Sequence, residues 1–69
     1  MNFHDRLKDL REDSDLTQEQ LASKLKITRS AINHYENSTR EPDFEILIKI
    51  ADLFDVSLDY LLCRTNKRY

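Results

Sequence analysis

The chain of 69 residues has no glycine and no tryptophan, one proline, one cysteine and no long apolar run. Without glycine it cannot form a glycine-rich phosphate-binding loop. A single cysteine excludes an internal disulfide, so stability must come from packing, which suits a reducing cytoplasm. Apolar runs of only a few residues exclude a transmembrane helix, and residues 1–15 are too charged for a secretory signal.

Patterns typical of metal sites and catalytic sites are missing as well. His4, His34 and Cys63 are about thirty residues apart, which matches no zinc-site spacing. Ser30 and His34 are close enough to share one helical face, but an open face offers neither a cleft nor an oxyanion site. We therefore expect no metal, no other cofactor, no small-molecule ligand and no enzymatic activity.

Charge is distributed unevenly along the chain. The formal net charge of −2 alone argues mildly against a nucleic-acid partner. Residues 24–40, however, carry a net charge of +3, whereas residues 41–63 carry −5. Because DNA responds to the local field of the surface that it meets, a basic segment in an acidic chain is compatible with DNA binding.

Apolar spacing predicts an all-α fold of five helices in one domain, residues 1–69, with a flexible basic tail at 64–69. The predicted helices cover residues 3–13, 18–25, 29–36, 44–54 and 58–63. Their predicted N-caps are Asn2, Thr17, Thr28, Asp43 and Ser57. The fourth helix is apolar nearly all round, which predicts that it lies at the centre of the fold.

The most informative segment is residues 16–37, which predicts two short helices joined by a tight turn at Lys26 and Ile27. Thr17 and Gln20 have the spacing of a capping box at the start of the first. The second has a thin apolar stripe opposite a face of hydrogen-bonding side chains, namely Arg29, Ser30, Asn33, His34 and Asn37. A helix-turn-helix presents such a face to the major groove of DNA.

The residues LTQEQLA at 16–22, YEN at 35–37 and VSLDYLL at 56–62 closely resemble the Xre family of phage-repressor and Cro-like helix-turn-helix proteins. The resemblance includes Leu25, Ile27, Arg40 and Pro42 and covers about residues 3–62. It implies a transcriptional regulator of bacterial or phage origin, located in the cytoplasm at the nucleoid. Such a protein is expected to bind double-stranded DNA sequence-specifically, as a repressor and homodimer on a palindromic operator.

Relatives in this family commonly carry glycine where this chain has Asp15, Lys26, Ser38 and Asp55. Glycine enters the left-handed backbone region without penalty, and these positions lie where a helix ends or the chain turns. A residue with a Cβ atom loses about 1 kcal/mol there, aspartate less. We expect the turn at Lys26 to persist, because burial of Leu21, Leu25 and Ile32 outweighs such penalties.

The resemblance and base-edge chemistry together assign roles to individual residues. Arginine matches the O6 and N7 atoms of guanine, and asparagine matches N6 and N7 of adenine. The expected base-reading residues are Thr28, Arg29, Ser30, Asn33 and His34. The expected phosphate contacts are Gln18, Lys26, Asn37 and Arg40. Arg11 and Glu36 match an ion pair that joins the first helix to the end of the third in related repressors.

Each assignment has a simpler alternative. The polar face of the third helix could be a solvated surface, Gln18 an ordinary first-turn residue, and Arg11 and Glu36 unrelated charges. Ile46, Leu53 and Tyr60 are candidates for dimer contacts, but they could equally complete the core of one protomer. The rival function is a protein-interaction module, antitoxin-like or an adaptor, with a protein partner and weak DNA binding.

Overall fold

The computed structural model describes all residues, 1–69, and contains five α-helices and no strand. Helix α1 spans Phe3–Asp13, α2 Gln18–Leu25, α3 Arg29–Glu36, α4 Phe44–Phe54 and α5 Leu58–Leu61. The predicted all-α fold and the bounds of α1 to α4 are confirmed. The predicted end of the fifth helix at residue 63 is wrong, because the backbone of Cys63 turns into the left-handed region with φ at 65°.

Every helix begins at a side chain that accepts a hydrogen bond from the backbone N–H three residues later. The five capping residues are the predicted ones: Asn2, Thr17, Thr28, Asp43 and Ser57. At α2 the Gln20 side chain also accepts from the Thr17 N–H at 2.9 Å, completing the predicted capping box. Each cap stabilises its helix by about 1 kcal/mol, so the starts of the helices are set locally.

Every helix also ends in the same way. The residues with positive φ are Asp15, Lys26, Ser38, Asp55 and Cys63. The residue after each of them donates its N–H to the carbonyl five positions earlier, as Leu16 does to Arg11 at 3.1 Å and Ile27 to Ala22 at 3.0 Å. This bond closes the last turn of a helix around a left-handed residue. The glycine-free chain thus ends all five helices with residues that carry a side chain.

The core contains one fully buried side chain from each helix. These residues are Leu7, Leu21, Ile32, Ile50 and Leu61, each with 0% exposure. They belong to one cluster of 12 buried apolar residues. Within it α3 packs against α1 and α2, while α4 packs against α2 and α5. Burial of each of these side chains stabilises the folded state by about 1.5–3 kcal/mol, so every helix contributes at least one stabilising contact to the shared core.

Helix α4 is not the central helix, contrary to the prediction from its apolar composition. Only Ile50 and Ala51 of α4 are buried. Phe44, Ile48 and Leu53 are exposed by 83%, 49% and 38% respectively. A small domain buries a limited fraction of its surface, so the additional apolar residues of α4 remain in contact with solvent. None of the five helices is long and apolar enough to cross a membrane.

Arg6 joins α1 to α5 from within the protein. Its side chain is buried, and its Nη1 donates to the carbonyl of Tyr60 at 2.8 Å. Residues 64–69 also contact α5 and its N-cap. The carbonyl of Arg68 accepts a hydrogen bond from the N–H of Ser57, and the guanidinium of Arg68 lies 5.4 Å from the centre of the Tyr60 ring. The flexibility of this tail stays a prediction, but its backbone contacts the start of α5.

Candidate nucleic-acid interface

Helix α3 separates its side chains into a buried side and an exposed side. Ala31, Ile32 and Tyr35 are buried against the core. The five expected base-reading residues are all exposed: Thr28, Arg29, Ser30, Asn33 and His34. Arg29 and Ser30 lie in the first turn, and their side chains make no hydrogen bond within the protein. The first turn of α3 therefore offers free hydrogen-bonding groups to an external partner.

The second half of this exposed side is ordered by local hydrogen bonds. Asn37 Nδ2 donates to Asn33 Oδ1 at 2.9 Å, which leaves both amide hydrogens of Asn33 free. His34 Nδ1 lies 2.8 Å from Thr39 Oγ1, which leaves the ring atom Nε2 without a partner. Because these contacts restrict the rotation of Asn33 and His34 before any ligand binds, less conformational entropy is lost on binding.

The C-terminal end of α3 is held against α1 by an ion pair between Arg11 and Glu36. Arg11 Nε and Nη2 donate to the two Glu36 carboxylate oxygens at 2.6 Å and 3.1 Å, and Arg11 Nη1 donates to the carbonyl of Leu16 at 2.8 Å. The two side chains are 12% and 2% exposed. The hydrogen bond to Glu36 raises the pKa of Arg11 although burial acts in the opposite direction, so the guanidinium remains charged.

Gln18, an expected phosphate contact, joins the same carboxylate. Its Nε2 donates to Glu36 Oε1 at 3.2 Å. Sequence reasoning missed this contact, since nothing in residues 16–22 indicates that the first residue of α2 meets the last residue of α3. Gln18 is partly buried, at the N-terminal end of α2, where backbone N–H groups and the helix dipole favour an anion.

His4 forms a second link between α1 and the end of α3, and no pattern in the sequence predicts this link. Its Nδ1 is hydrogen-bonded to the carbonyl of Tyr35, and its Nε2 lies 3.7 Å from Glu41 Oε1. Together with Arg11, this histidine fixes the last turn of α3 against α1. Two contacts from α1 therefore help to orient the exposed side of α3, in addition to the packing of α3 against α2.

The other three expected phosphate contacts are exposed and lie in separate places. Asn37 caps the end of α3, and Arg40 lies in the loop between α3 and α4. Lys26 directly follows α2, at the opposite end of that helix from Gln18. Lys26 lines a shallow depression of about 400 Å³ with Lys24, Lys49, Asp52 and two leucines. The structure therefore spreads these side chains along a surface and encloses none of them in a pocket.

The three dimer candidates differ in exposure. Leu53 is exposed, whereas Ile46 and Tyr60 are partly buried and pack against the core. The Tyr60 ring is also covered by Arg6, whose guanidinium carbon lies 3.7 Å from the ring centre. Helix α5 packs against α4, and Leu58 of α5 and the following residue Leu62 are exposed by 41% and 40%. Apolar surface is thus available on both helices, and on α4 Phe44 and Ile48 are more exposed than Leu53.

The sequence is similar to one known family and to several curated proteins. The sequence profile of the helix-turn-helix family matches residues 7–61. The uncharacterised HTH-type transcriptional regulator YqaE of Bacillus subtilis is 52% identical over 60 residues, covering 87% of this chain and 52% of that protein. The chain spans about half the length of the curated relatives that it matches first.

Two solved structures extend the similarity to three dimensions. The P22 c2 repressor in complex with a synthetic operator is similar with a TM-score of 0.84 and 27% identity, covering 90% of this chain and 94% of that chain. The restriction-modification controller protein C.AhdI from Aeromonas hydrophila is similar with a TM-score of 0.80 and 30% identity, covering 87% and 91%. Both comparisons include almost the whole five-helix fold.

Proposed function

Because the chain belongs to the helix-turn-helix family, of the Xre type, we propose that it binds double-stranded DNA sequence-specifically and regulates transcription. We propose further that it acts as a repressor and a homodimer on a palindromic operator. A single recognition helix contacts too few base pairs to select one site in a genome, and pairing two half-sites supplies the missing specificity. The compartment is then the bacterial cytoplasm, at the nucleoid.

The observation that carries this proposal is the exposed side of α3. Its first turn holds Arg29 and Ser30 with no partner inside the protein, while the buried side is anchored by Ile32 and the last turn by the Arg11–Glu36 pair. A rigid helix with unsatisfied donors and acceptors on one side is suited to reading base edges in a major groove.

The charge distribution supports the same orientation. The basic residues of 24–40 lie in α2, in α3 and in the segments that follow them, and give a net charge of +3, whereas the net charge of residues 41–63 is −5. Binding to a polyanion is favourable only if the first segment faces the DNA and the second points away. In this orientation Lys26 and Arg40 supply charged phosphate contacts, and Gln18 and Asn37 supply neutral ones. Such contacts set position on the duplex without reading sequence.

Dimerisation is assigned to apolar residues of α4 and α5. Of the three candidates only Leu53 on α4 is exposed, and further exposed apolar surface comes from Phe44, Ile48, Leu58 and Leu62. Tyr60 and Ile46 contribute more to the core, since each is partly buried within one chain.

The experiment is a titration of palindromic and half-site duplexes, selected from a randomised pool, at several salt concentrations. Two or three charged phosphate contacts per protomer predict a log–log salt slope of roughly −4 to −5 for the dimer and about half of that on a half-site. A slope near zero without preference for the palindrome would contradict the proposal. The protein-interaction module would then be the better explanation.

A further inference from the structure

The Glu36 carboxylate touches side chains from two other helices at once. Arg11 of α1 binds both oxygens, and Gln18 of α2 donates its Nε2 to Oε1, the oxygen that also accepts from Arg11 Nη2. An ionised carboxylate accepts hydrogen bonds and cannot donate them. The amide nitrogen of Gln18 must therefore be the atom that faces Glu36, and only one of its two hydrogens is used there.

We propose that Glu36 is the positioning residue for the phosphate contact of Gln18, an inference that rests on the proposed function. A phosphate oxygen accepts hydrogen bonds, so it can bind the amide nitrogen of Gln18 but is repelled by the amide oxygen. By holding Nε2, the carboxylate selects one orientation of the amide and leaves its second hydrogen for the phosphate. It also restricts a side chain that has three rotatable bonds, which lowers the entropy lost on binding.

Arg11 has a second task in this arrangement. Glu36 places a negative charge next to the atom that binds a phosphate, and like charges repel in a partly buried site more strongly than in water. The two-pronged pairing with Arg11 neutralises that charge at 2.6 Å and 3.1 Å. The Arg11–Glu36 pair thus provides an acceptor for Gln18 without a net negative charge at the interface.

The test is a double-mutant cycle on DNA affinity with the full chain. Gln18→Ala is made in the wild type and in the Arg11→Met/Glu36→Met variant, in which apolar side chains replace the pair. The probes are a half-site duplex selected with the wild type and a duplex of random sequence. We expect Gln18→Ala to weaken binding to both by about tenfold in the wild type and by less than about twofold in the double variant. The salt slope should not change, because glutamine is neutral.

The other glutamine of α2 provides the matched control. Gln20 lies in the capping box and does not contact Glu36, so Gln20→Ala should have the same effect in both backgrounds. A further readout needs no DNA: the side-chain amide signal of Gln18 in a ¹⁵N–¹H spectrum should show a hydrogen-bonded proton that disappears in the double variant. Circular dichroism verifies that each variant is folded.

The outcomes separate the two proposals. An equal effect of Gln18→Ala in both backgrounds would overturn the positioning role and leave Gln18 as an independent phosphate contact. No effect of Gln18→Ala in a wild type that binds DNA would overturn both the contact and its positioning. Absence of any duplex binding by the wild type would overturn the proposed function itself, together with this inference.

Discussion

The guanidinium of Arg6 lies over the ring of Tyr60, 3.7 Å from its centre, while Arg6 Nη1 donates to the carbonyl of the same residue at 2.8 Å. No carboxylate pairs with this buried cation, since the ion pairs of the protein involve His4, Arg11 and Arg64. Its charge is compensated by a carbonyl dipole, an aromatic face and the Met1 sulfur atom. This contact connects the first and last helices of the fold.

Arg6→Lys should lower the free energy of unfolding by about 1–2 kcal/mol, because an ammonium cannot stack on the ring and donate to the carbonyl in the same planar geometry. Urea denaturation measures the change. Lys8→Arg on the exposed side of α1 is the control and should be neutral. Equal stability of Arg6→Lys and the wild type would mean that charge alone matters at this position.

Arg11→Met should destabilise the protein by about 3 kcal/mol, because it leaves the buried Glu36 carboxylate without its partner. Adding Glu36→Met should restore much of the loss, since an apolar pair of similar volume fills the space. Thermal and urea unfolding of the four proteins give the coupling energy. Additive effects of the two changes would show that the pair contributes no interaction of its own.

The stability difference between the wild type and the Arg11→Met/Glu36→Met variant should not depend on pH between about pH 6 and pH 9. The pKa of Arg11 is raised in the folded protein, so its contribution is fully present below the pKa of arginine in the unfolded chain and is lost only above it. Urea midpoints of the wild type and the variant, measured across this range, should differ by a constant amount. A difference that shrinks as pH rises through this range would assign the stabilisation to another titrating group.

Lys26→Gly should stabilise the protein by roughly 0.5–1 kcal/mol and raise Tm by a few degrees. Lysine at φ 59° carries a steric penalty that glycine lacks, and this gain exceeds the greater entropy of glycine in the unfolded chain. Lys24→Gly, which removes the same charge from inside α2, should instead destabilise by about 1 kcal/mol. Calorimetry of both variants tests the claim, which fails if both lower Tm alike.

Arg29→Ala should weaken binding to the cognate duplex by about 1–3 kcal/mol and relax preference at one base pair of each half-site. Fluorescence anisotropy with duplexes substituted at single base pairs measures both effects. Arg40→Ala is the comparison and should weaken binding to all sequences by a similar factor. If Arg29→Ala behaved in the same way as Arg40→Ala, Arg29 would be a phosphate contact.

Features set by neighbouring residues in the chain could be predicted from the sequence. Thr17 and Thr28 predict the starts of α2 and α3, because a capping side chain and the backbone N–H that donates to it are only three residues apart. The left-handed residue Lys26 lies where glycine-containing relatives indicate a turn. The left-handed backbone of Cys63 could not be predicted, because nothing local distinguishes a helix that ends at residue 61 from one that ends at residue 63.

Features that depend on contacts between distant elements could not be predicted in the same way. Arg6 has the spacing of the apolar face of α1, but its charge predicts an exposed residue, and its burial follows only from the contacts with Tyr60 of α5. Gln18 meets Glu36 because α2 and α3 cross at a particular angle, which no local pattern specifies. Helix α4 has more apolar residues than a chain of this size can bury. Its composition therefore wrongly predicted that it lies at the centre of the fold.

The five fully buried side chains, one from each helix, have a consequence for how this protein diverges over evolutionary time. None of the exposed residues on α3 belongs to that set, so Arg29, Ser30 and Asn33 can be exchanged while the framework persists. With the base-reading role proposed for these residues, a duplicated copy could acquire a new target through a few such exchanges while remaining folded. Loss of any one helix, by contrast, would remove a fully buried side chain from the shared core. The exposed residues of α3 can therefore change far more freely than the five-helix fold.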